Sequence, residues 1–310
     1  MRIGIFHGAR RESLSISDSV ALVISAEKAG FDSVWLPQLP TFGFDVLTIL
    51  ALAGGGTSRI ELGTAVLPTF PTHPLMMAKQ ALTTQAACGG RLTLGLGLSH
   101  KPMIEDIMGL TYDRPAEHMR EYLSVVRPLT NQGQVDFTGR GFRVKADLKV
   151  FDSSPVPIVV AALAPKMLRL AGELADGTVT WMAGVRTIGN HVTPRIQAAA
   201  RSAGRPQPRV IVGLPVAVAD DPQRARDIAA KAYERYGQLT NYRRLLDIEG
   251  VEGPSEVAVV GNEAQVEQQL RAFAGAGATD FIGSVLPVGE DAGASVARTE
   301  KLLASLVGKL

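Results

Sequence analysis

The fold is indicated by one continuous stretch, from Ser17 to Leu36, which reads SDSVALVISAEKAGFDSVWL. The run Ser17–Ala29 is amphipathic and predicts a helix, and Gly30 stands where a left-handed residue commonly ends one. Asp32–Leu36 then predicts a strand. A helix, a glycine and a strand in this order are the second half of a strand–helix–strand unit, the repeating element of α/β proteins.

The same unit recurs along the chain. Predicted strands begin near residues 3, 32, 60, 92, 157, 178, 210 and 280, with helical runs between them. Many of the intervals are near 30 residues, the length of one strand–helix unit in a barrel of about 250 residues. The spacing predicts one α/β domain over residues 1–310, a (β/α)8 TIM barrel. An open doubly wound sheet is the alternative, but the first strand, Ile3–His7, is followed by Gly8-Ala9-Arg10-Arg11 and not by Gly-x-Gly-x-x-Gly.

Two intervals are too long for a plain barrel unit, and they predict insertions after strands four and seven. The first holds a predicted helix, Arg114–Leu129, and a predicted hairpin, Val135–Val144. The second holds a helix, Pro222–Gln238, and a polar stretch without clear period, Leu239–Gly261. We expect both insertions at the carboxyl ends of the strands, either as lids or binding loops or as ordered segments without a gating role.

Composition excludes several classes of protein. With 46% hydrophobic and 20% charged residues in 310, the chain is globular and not disordered. The net charge of +2 gives no reason to expect nucleic acid or an anionic membrane as a partner. Cys88 is the one cysteine of the sequence, which excludes an intramolecular disulfide and a multi-cysteine metal site.

The sequence also predicts a cytoplasmic protein with no membrane-spanning segment. Met1–His7 lacks a secretory apolar region of adequate length, and Arg10 and Arg11 precede polar residues, unlike an export signal. Apolar runs such as Val46–Ala53 and Ile158–Ala164 are far shorter than the roughly 20 residues that a membrane helix needs.

The active site of such a barrel lies at the carboxyl ends of its strands. The residues predicted there are mostly apolar with few carboxylates, which disfavours a two-acid hydrolase and a hard-cation site. HExxH, GxSxG and Walker A sequences are absent, so no zinc, serine-hydrolase or P-loop chemistry is expected, and no metal. Trp35 and Trp181 suit a planar ring such as a flavin, or else pack in the core.

Two segments are candidate phosphate-binding positions. Glycines in Gly95–Ser99 allow backbone amides to approach an anion, although glycine at a strand end also serves packing. Ala162–Pro165 leads into a helix whose first N–H groups are free to bind a phosphate. His7, His73 and His100 stand in or just after strand ends, as candidate functional groups or as structural imidazoles.

In these features the chain resembles the luciferase-like flavin and deazaflavin oxidoreductases, and most closely the branch that uses the deazaflavin coenzyme F420. The resemblance covers almost the whole chain in order, and it is carried by Ala29–Trp35, Ile60–Val66 with His73-Pro74, Gly90–Gly97, Pro157–Ala162 and Ala171–Gly177. Gly97–His100 and Lys166–Gly172 are the stretches that resemble the F420 branch.

The resemblance implies a homodimer of barrels, each with the cofactor ring at its mouth and a non-proline cis peptide bond behind the ring, at Ala65–Val66. It also implies phosphate or tail contacts at Gly97 to Ser99 and at Ala162 to Met167, and a cofactor contact near Thr69. With the strand-end residues added, the candidate cofactor-binding set is His7, Gln38, Ala65, Val66, Thr69, Gly97, Leu98, Ser99, Ala162, Leu163, Ala164, Met167 and Trp181.

The chain departs from the family's sugar and alcohol dehydrogenases. Their Asp-His pair after strand two is matched here by Gln38 and Leu39, and their glutamate after strand four by His100. The resemblance therefore implies hydride transfer between F420 and an unidentified small organic substrate, with His100 as the proton relay. An FMN-dependent monooxygenase of the same fold and a cofactor-binding barrel without turnover are the alternatives.

Overall fold

A computed structural model describes residues 1–8 and 15–310; Arg10 and Arg11 lie outside the described residues. The strands are β1 (Arg2–Phe6), β2 (Ser33–Leu36), β3 (Glu61–Thr64), β4 (Leu67–Pro68), β5 (Leu92–Gly97), β6 (Gln134–Thr138), β7 (Arg143–Asp147), β8 (Ile158–Val160), β9 (Gly177–Trp181), β10 (Arg209–Val218), β11 (Val259–Gly261) and β12 (Asp280–Val285). The α-helices are α1 (Ile16–Lys28), α2 (Val46–Gly54), α3 (Pro74–Ala87), α4 (Pro115–Gln132), α5 (Pro165–Leu174), α6 (Val185–Thr187), α7 (Thr193–Ser202), α8 (Pro222–Gln238), α9 (Thr240–Glu249), α10 (Glu263–Gly275) and α11 (Ala292–Ser305).

Within the described residues, eight parallel strands close into a barrel in the order β1, β2, β3, β5, β8, β9, β10 and β12. Arg2 pairs with Asp280 where β1 meets β12, and Gly177 pairs with Arg209 where β9 meets β10. The prediction of a (β/α)8 barrel is confirmed, and each predicted barrel strand is present. We call the carboxyl ends of these strands the mouth and their amino ends the base.

The middle of the barrel is filled by apolar side chains around Trp35. The indole is 0% exposed, and its N–H donates to the Ser33 hydroxyl at 2.9 Å. A Cβ at Gly63 would lie 2.3 Å from the indole, so only glycine leaves room for it on β3. The neighbouring side chains in this layer are Val159, Val179, Ile211 and Ile282. Trp35 therefore packs in the core and does not line the mouth.

The base is closed by a network of charges, which we call the base network. Glu61 accepts hydrogen bonds from Arg2, from Arg209 at 2.8 Å and from the Thr93 hydroxyl at 2.7 Å. Asp280, which is 1% exposed, accepts from the same Arg209 at 2.6 Å. Burial alone would raise the pKa of the Glu61 carboxyl, but the Arg209 and Arg2 guanidinium groups hold that pKa below its usual range.

The first insertion differs in part from the expectation. The predicted hairpin is present as β6 and β7, paired antiparallel from Gln134↔Asp147 to Thr138↔Arg143. It follows α4, which returns from the mouth, so the hairpin begins at the other end of the barrel and only its tip comes back beside the start of α4. The Glu121 carboxylate holds that tip, because it accepts the N–H groups of Arg140, Gly141 and Phe142 at 2.8 to 3.1 Å.

The second insertion is more regular than the sequence indicates. The stretch Leu239–Gly261, which shows no clear period, contains α9 and β11. In α9 the buried residues are Leu245 and Leu246, and most of its other residues are polar, so its composition resembles that of a loop. The three residues of β11 extend the sheet by pairing with β10, Val216 opposite Val259.

Among the described residues, no helix combines the length and the apolar character needed to span a membrane. Cys88 is buried, and its thiol lies 3.3 Å from the Leu50 carbonyl. Burial raises the pKa of this thiol to about 11, so Cys88 is not a reactive nucleophile.

Candidate active site at the barrel mouth

The predicted site residues come together at the mouth because neighbouring strand ends are joined by backbone hydrogen bonds. Ala65 N–H donates to the Leu36 carbonyl at 2.8 Å, and Thr69 N–H donates to the Gly97 carbonyl at 2.9 Å. The side chains or backbones that remain partly exposed there are His7, Gln38, Ala65, Val66, Leu98, Ser99, His100, Leu163, Ala164 and Trp181. Those that are buried are Thr69, Gly97, Ala162 and Met167.

The Ala65–Val66 peptide bond is cis, which confirms the expectation drawn from the resemblance. It lies between β3 and β4 and presses against the end of β5. A Cβ at Gly97 would lie 2.4 Å from Val66 Cγ2, and a Cβ at Gly95 would lie 1.9 Å from the Thr64 carbonyl oxygen. These two glycines therefore make room for the turn of chain that carries the cis bond.

Thr69 is fixed inside the wall of the mouth by a histidine that the sequence analysis missed. Its side chain is 1% exposed, and its hydroxyl lies 3.0 Å from His118 Nε2. The His118 ring is stacked on Phe70 with centroids 4.0 Å apart. Burial lowers the pKa of His118 to about 4, so the imidazole is neutral at physiological pH. His118 belongs to the first turn of α4, and no local pattern in the sequence connects it to Thr69.

Gln38 is occupied by local structure. Its side-chain oxygen accepts the N–H of Val46 at 2.9 Å at the start of α2. Asp45 caps the same helix by accepting from Thr48 N–H at 2.9 Å. The Gln38 side chain therefore stabilises the first turn of α2, and its amide nitrogen donates to the Leu39 carbonyl at 3.5 Å.

The segment from Ala162 to Met167 begins α5 without a side-chain cap. Ala164 is the N-cap residue, and Pro165 occupies the first helical position. The amides of the first turn are thus available to an anion, which the positive end of a helix favours. The Leu163 carbonyl is held at 2.8 Å by Nε2 of the buried His191. Burial lowers the pKa of His191, so this ring is neutral and its N–H donates to the carbonyl.

His100 follows a strained residue at the end of β5. Ser99 has a left-handed φ of 59°, which is uncommon outside glycine and is found at functional turns. The His100 carbonyl accepts from Met103 N–H at 2.9 Å and so begins the next helical turn. Burial lowers the pKa of the half-buried imidazole, and the nearby Arg235 lowers it further. The ring is therefore neutral at physiological pH and able to accept a proton.

Three tyrosines from the second insertion lie over the mouth, and we call them the tyrosine cover: Tyr233, Tyr236 and Tyr242. The Trp181 ring is edge-to-face with Tyr233 at 5.8 Å and with Tyr236 at 6.1 Å. Tyr242 is edge-to-face with Tyr236 at 4.9 Å and lies 6.0 Å from the His100 ring. Trp181 is among the site residues predicted from the sequence and the tyrosine cover is not, although Tyr233 and Tyr236 stand three residues apart on one face of the predicted helix.

The cover is attached to the barrel through α9. The Glu249 carboxylate accepts the N–H groups of Arg186 at 3.1 Å and Thr187 at 2.7 Å, at the start of the helix that follows β9. The Thr187 hydroxyl donates back to the Leu245 carbonyl at 3.1 Å. A Cβ at Gly184 would lie 2.3 Å from the Glu249 carboxyl carbon, so glycine is required for this contact. The second insertion is therefore an ordered part of the mouth.

The chain is similar in sequence to luciferase-like and F420-dependent proteins. The sequence profile of the luciferase-like monooxygenases matches residues 1–280. The F420-dependent glucose-6-phosphate dehydrogenase of Beutenbergia cavernae is 30% identical over 284 residues, which cover 86% of this chain and 82% of that enzyme. The 5,10-methylenetetrahydromethanopterin reductase of Archaeoglobus fulgidus is 35% identical over 156 residues, 50% of this chain and 46% of the reductase.

Among solved structures, the oxygenating constituent of the Pseudomonas putida 3,6-diketocamphane monooxygenase, in complex with FMN, superimposes with a TM-score of 0.78. The superposition covers 99% of this chain and 97% of that one at 17% sequence identity. At that identity the likeness concerns the fold.

Proposed function

This chain belongs to the luciferase-like monooxygenase family, and on that premise we propose that it is an F420-dependent oxidoreductase acting on a small organic substrate. The observation that carries the proposal is the uncapped start of α5 at the same mouth as Ala65–Val66 and His100. The F420-dependent dehydrogenase of Beutenbergia cavernae, which matches 86% of the chain, supports the choice of cofactor.

The residues at the mouth fit a cofactor with a planar ring and a phosphate-bearing tail. Ala65 and Val66 are partly exposed and offer an apolar surface against which a ring packs. The first-turn amides of α5, next to Ala164, suit the phosphate. A bound deazaflavin supplies a carbon that gives or takes a hydride, and the chain supplies orientation and proton handling.

His100 is the residue that we assign to proton transfer. Its ring is half-buried, lies near the mouth and is neutral at physiological pH. A neutral ring nitrogen accepts a proton from a substrate hydroxyl, or returns one after protonation from solvent. The Asp-His pair of sugar and alcohol dehydrogenases has no counterpart, because Gln38 caps α2 and Leu39 is apolar. We therefore do not extend the substrate of the Beutenbergia enzyme to this chain.

An FMN-dependent monooxygenase is the second candidate, supported by the fold shared with the FMN-bound Pseudomonas protein. Titration of the protein with F420 and with FMN, followed by absorbance and fluorescence, distinguishes the two. We expect F420 to bind more tightly. Micromolar binding of FMN together with no measurable binding of F420 would reverse the assignment.

We also propose a homodimer. Leu52 on α2 and Met76 on α3 are 53% and 48% exposed, and these two helices are neighbours on the outside of the barrel. Light scattering should give twice the chain mass of 32.9 kDa. A mass equal to one chain at micromolar concentration contradicts the dimer.

A further inference from the structure

Aromatic rings form a continuous row across the mouth. Phe6 and Trp181 stand at the ends of β1 and β9, with ring centroids 5.2 Å apart. The tyrosine cover continues the row from Trp181 to His100. Each of these rings keeps part of its surface exposed although it packs against its neighbours. The row is therefore a surface on which a further ring can stack, since aromatic pairs are favourable at centroid distances of about 4.5–7 Å.

The electrostatics of this row are simple. Burial raises the pKa of all three phenols of the tyrosine cover, so each is protonated and able to donate a hydrogen bond. The Arg235 guanidinium is close enough to both His100 and Tyr236 to lower their pKa values. A ligand here meets ring faces and hydrogen-bond donors.

From this arrangement we infer that the substrate is a planar aromatic molecule with a carbonyl or hydroxyl oxygen, bound between the cofactor and the tyrosine cover. The inference rests on the proposed function, because it names the substrate class of that site. The ring of the substrate stacks on the row formed by Trp181 and Tyr236, and its oxygen accepts from a phenol. His100 at the end of the row is then next to that oxygen.

The two tryptophans allow a direct test of binding, because Trp35 is 0% exposed inside the barrel and Trp181 lies in the row. The protein is first saturated with oxidised cofactor, so that no turnover occurs. Menadione, a planar naphthoquinone, is then titrated while tryptophan fluorescence is recorded. Cyclohexanone and glucose 6-phosphate are the matched non-planar probes. We expect menadione to quench in a saturable manner and the other two probes to leave the fluorescence unchanged.

Variants of the row assign the binding to it. Tyr236→Leu should weaken menadione binding about three- to tenfold, the range expected for the loss of one aromatic pair, and Tyr236→Phe should restore most of it. Trp181→Phe should abolish the signal, and Phe151→Leu, at a ring that is 74% exposed elsewhere, should change nothing. Tyr233→Leu repeats the test if Tyr236→Leu does not fold, as judged by its thermal transition.

The outcomes separate this inference from the proposed function. Two outcomes would show that the substrate class is wrong while the proposed function stands. In the first, the protein binds cofactor but menadione does not quench the tryptophan fluorescence. In the second, menadione binds Tyr236→Leu and the unaltered protein with equal affinity. Tighter binding of glucose 6-phosphate than of menadione has the same meaning. Failure to bind either F420 or FMN contradicts the proposed function whatever menadione does.

Discussion

The two ends of the barrel are built on opposite principles. At the base, Glu61, Asp280, Arg209 and Arg2 satisfy one another, and the Thr93 hydroxyl completes the shell of Glu61. At the mouth, the rings of Trp181 and the tyrosine cover pack together yet stay partly exposed. At the base the polar groups bind one another and close the barrel. At the mouth, protonated phenols, uncapped amides and a neutral imidazole remain available to a ligand. In barrel enzymes generally, stability belongs to the first end and chemistry to the second.

The largest expected effect comes from disabling the mouth alone. His100→Ala should lower the turnover rate about 10²–10⁴-fold, the usual contribution of a general acid or base. Thermal stability and the dissociation constant of the cofactor should stay close to those of the unaltered protein. Single-turnover kinetics and cofactor titration measure the two quantities separately.

His7→Ala, at the residue that follows β1, is the parallel variant for His100→Ala, because it removes another partly exposed imidazole from the mouth at a position that we do not assign to proton transfer. If His100→Ala turns over at the original rate but binds cofactor tenfold more weakly, His100 is a cofactor ligand and not a proton relay.

Disrupting the base alone should destabilise the protein without changing its affinity for the cofactor. Arg209→Met removes the cation shared by Glu61 and Asp280, and breaking a buried ion pair costs about 3–5 kcal/mol in the free energy of unfolding. Urea denaturation measures the loss. Arg298→Met is the control: its ion pairs with Asp220 and Glu263 are exposed, so the expected cost is about 1 kcal/mol or less.

The two arginine variants test whether the base of the barrel contributes to stability and not to cofactor binding. Equal losses for Arg209→Met and Arg298→Met, or a weaker cofactor affinity in the folded Arg209→Met protein, would contradict the purely structural role of the base network. The destabilisation should also shrink as the pH falls towards 4, because Glu61, which then keeps Arg2 but has lost Arg209, takes up a proton more readily in the folded variant.

A smaller effect is expected where the Ala65–Val66 cis peptide bond packs against the end of β5. Gly97→Ala places a methyl group 2.4 Å from Val66 Cγ2, and overpacking of this kind typically costs about 1–3 kcal/mol. Because Val66 also lines the mouth, cofactor binding should weaken together with stability. The double variant Gly97→Ala/Val66→Ala should recover most of both. Gly293→Ala, on α11, where a Cβ would meet only the Asp291 carboxylate at the ordinary contact distance of 3.4 Å, is the control that should lower neither stability nor cofactor affinity.

The last expected effect depends on pH. His118 takes up a proton more readily when unfolded than when folded, since burial lowers its folded pKa to about 4 from an ordinary value of 6.5. The free energy of unfolding should therefore decrease as the pH falls from about 6.5 to about 4. His118→Phe keeps a ring beside Phe70 and removes the titrating group, so its stability should vary less over that window. Parallel pH profiles for the two proteins would show His118 to be irrelevant.

Features with a local or periodic signal could be predicted from the sequence. The barrel followed from strand spacing, the hairpin from its turn residues, and the cis bond at Ala65–Val66 from the family resemblance. The ends of the barrel were harder, because their contacts join distant segments. Glu61 and Arg209 are 148 residues apart, and neither has a neighbour in sequence that indicates the other.

The candidate site shows the same limit. Backbone positions such as Ala164 follow from the order of strand and helix, but Gln38 looked available and instead caps α2. Trp35 and Trp181 appear equivalent in sequence, and one packs in the core because Gly63 makes room for it. The tyrosine cover depends on how α8 and α9 dock, and that depends on Glu249 meeting the start of another helix.

Because of the Glu249 contact, movement of the tyrosine cover can be followed by hydrogen exchange. The amide hydrogens of Arg186 and Thr187 belong to the barrel, yet their acceptor belongs to α9. Each of these two amide hydrogens should exchange with solvent deuterium only in molecules in which α9 has detached from the barrel. This exchange should not require the barrel itself to unfold. The exchange rate of these two amides therefore measures how often the mouth opens, and the measurement needs no ligand.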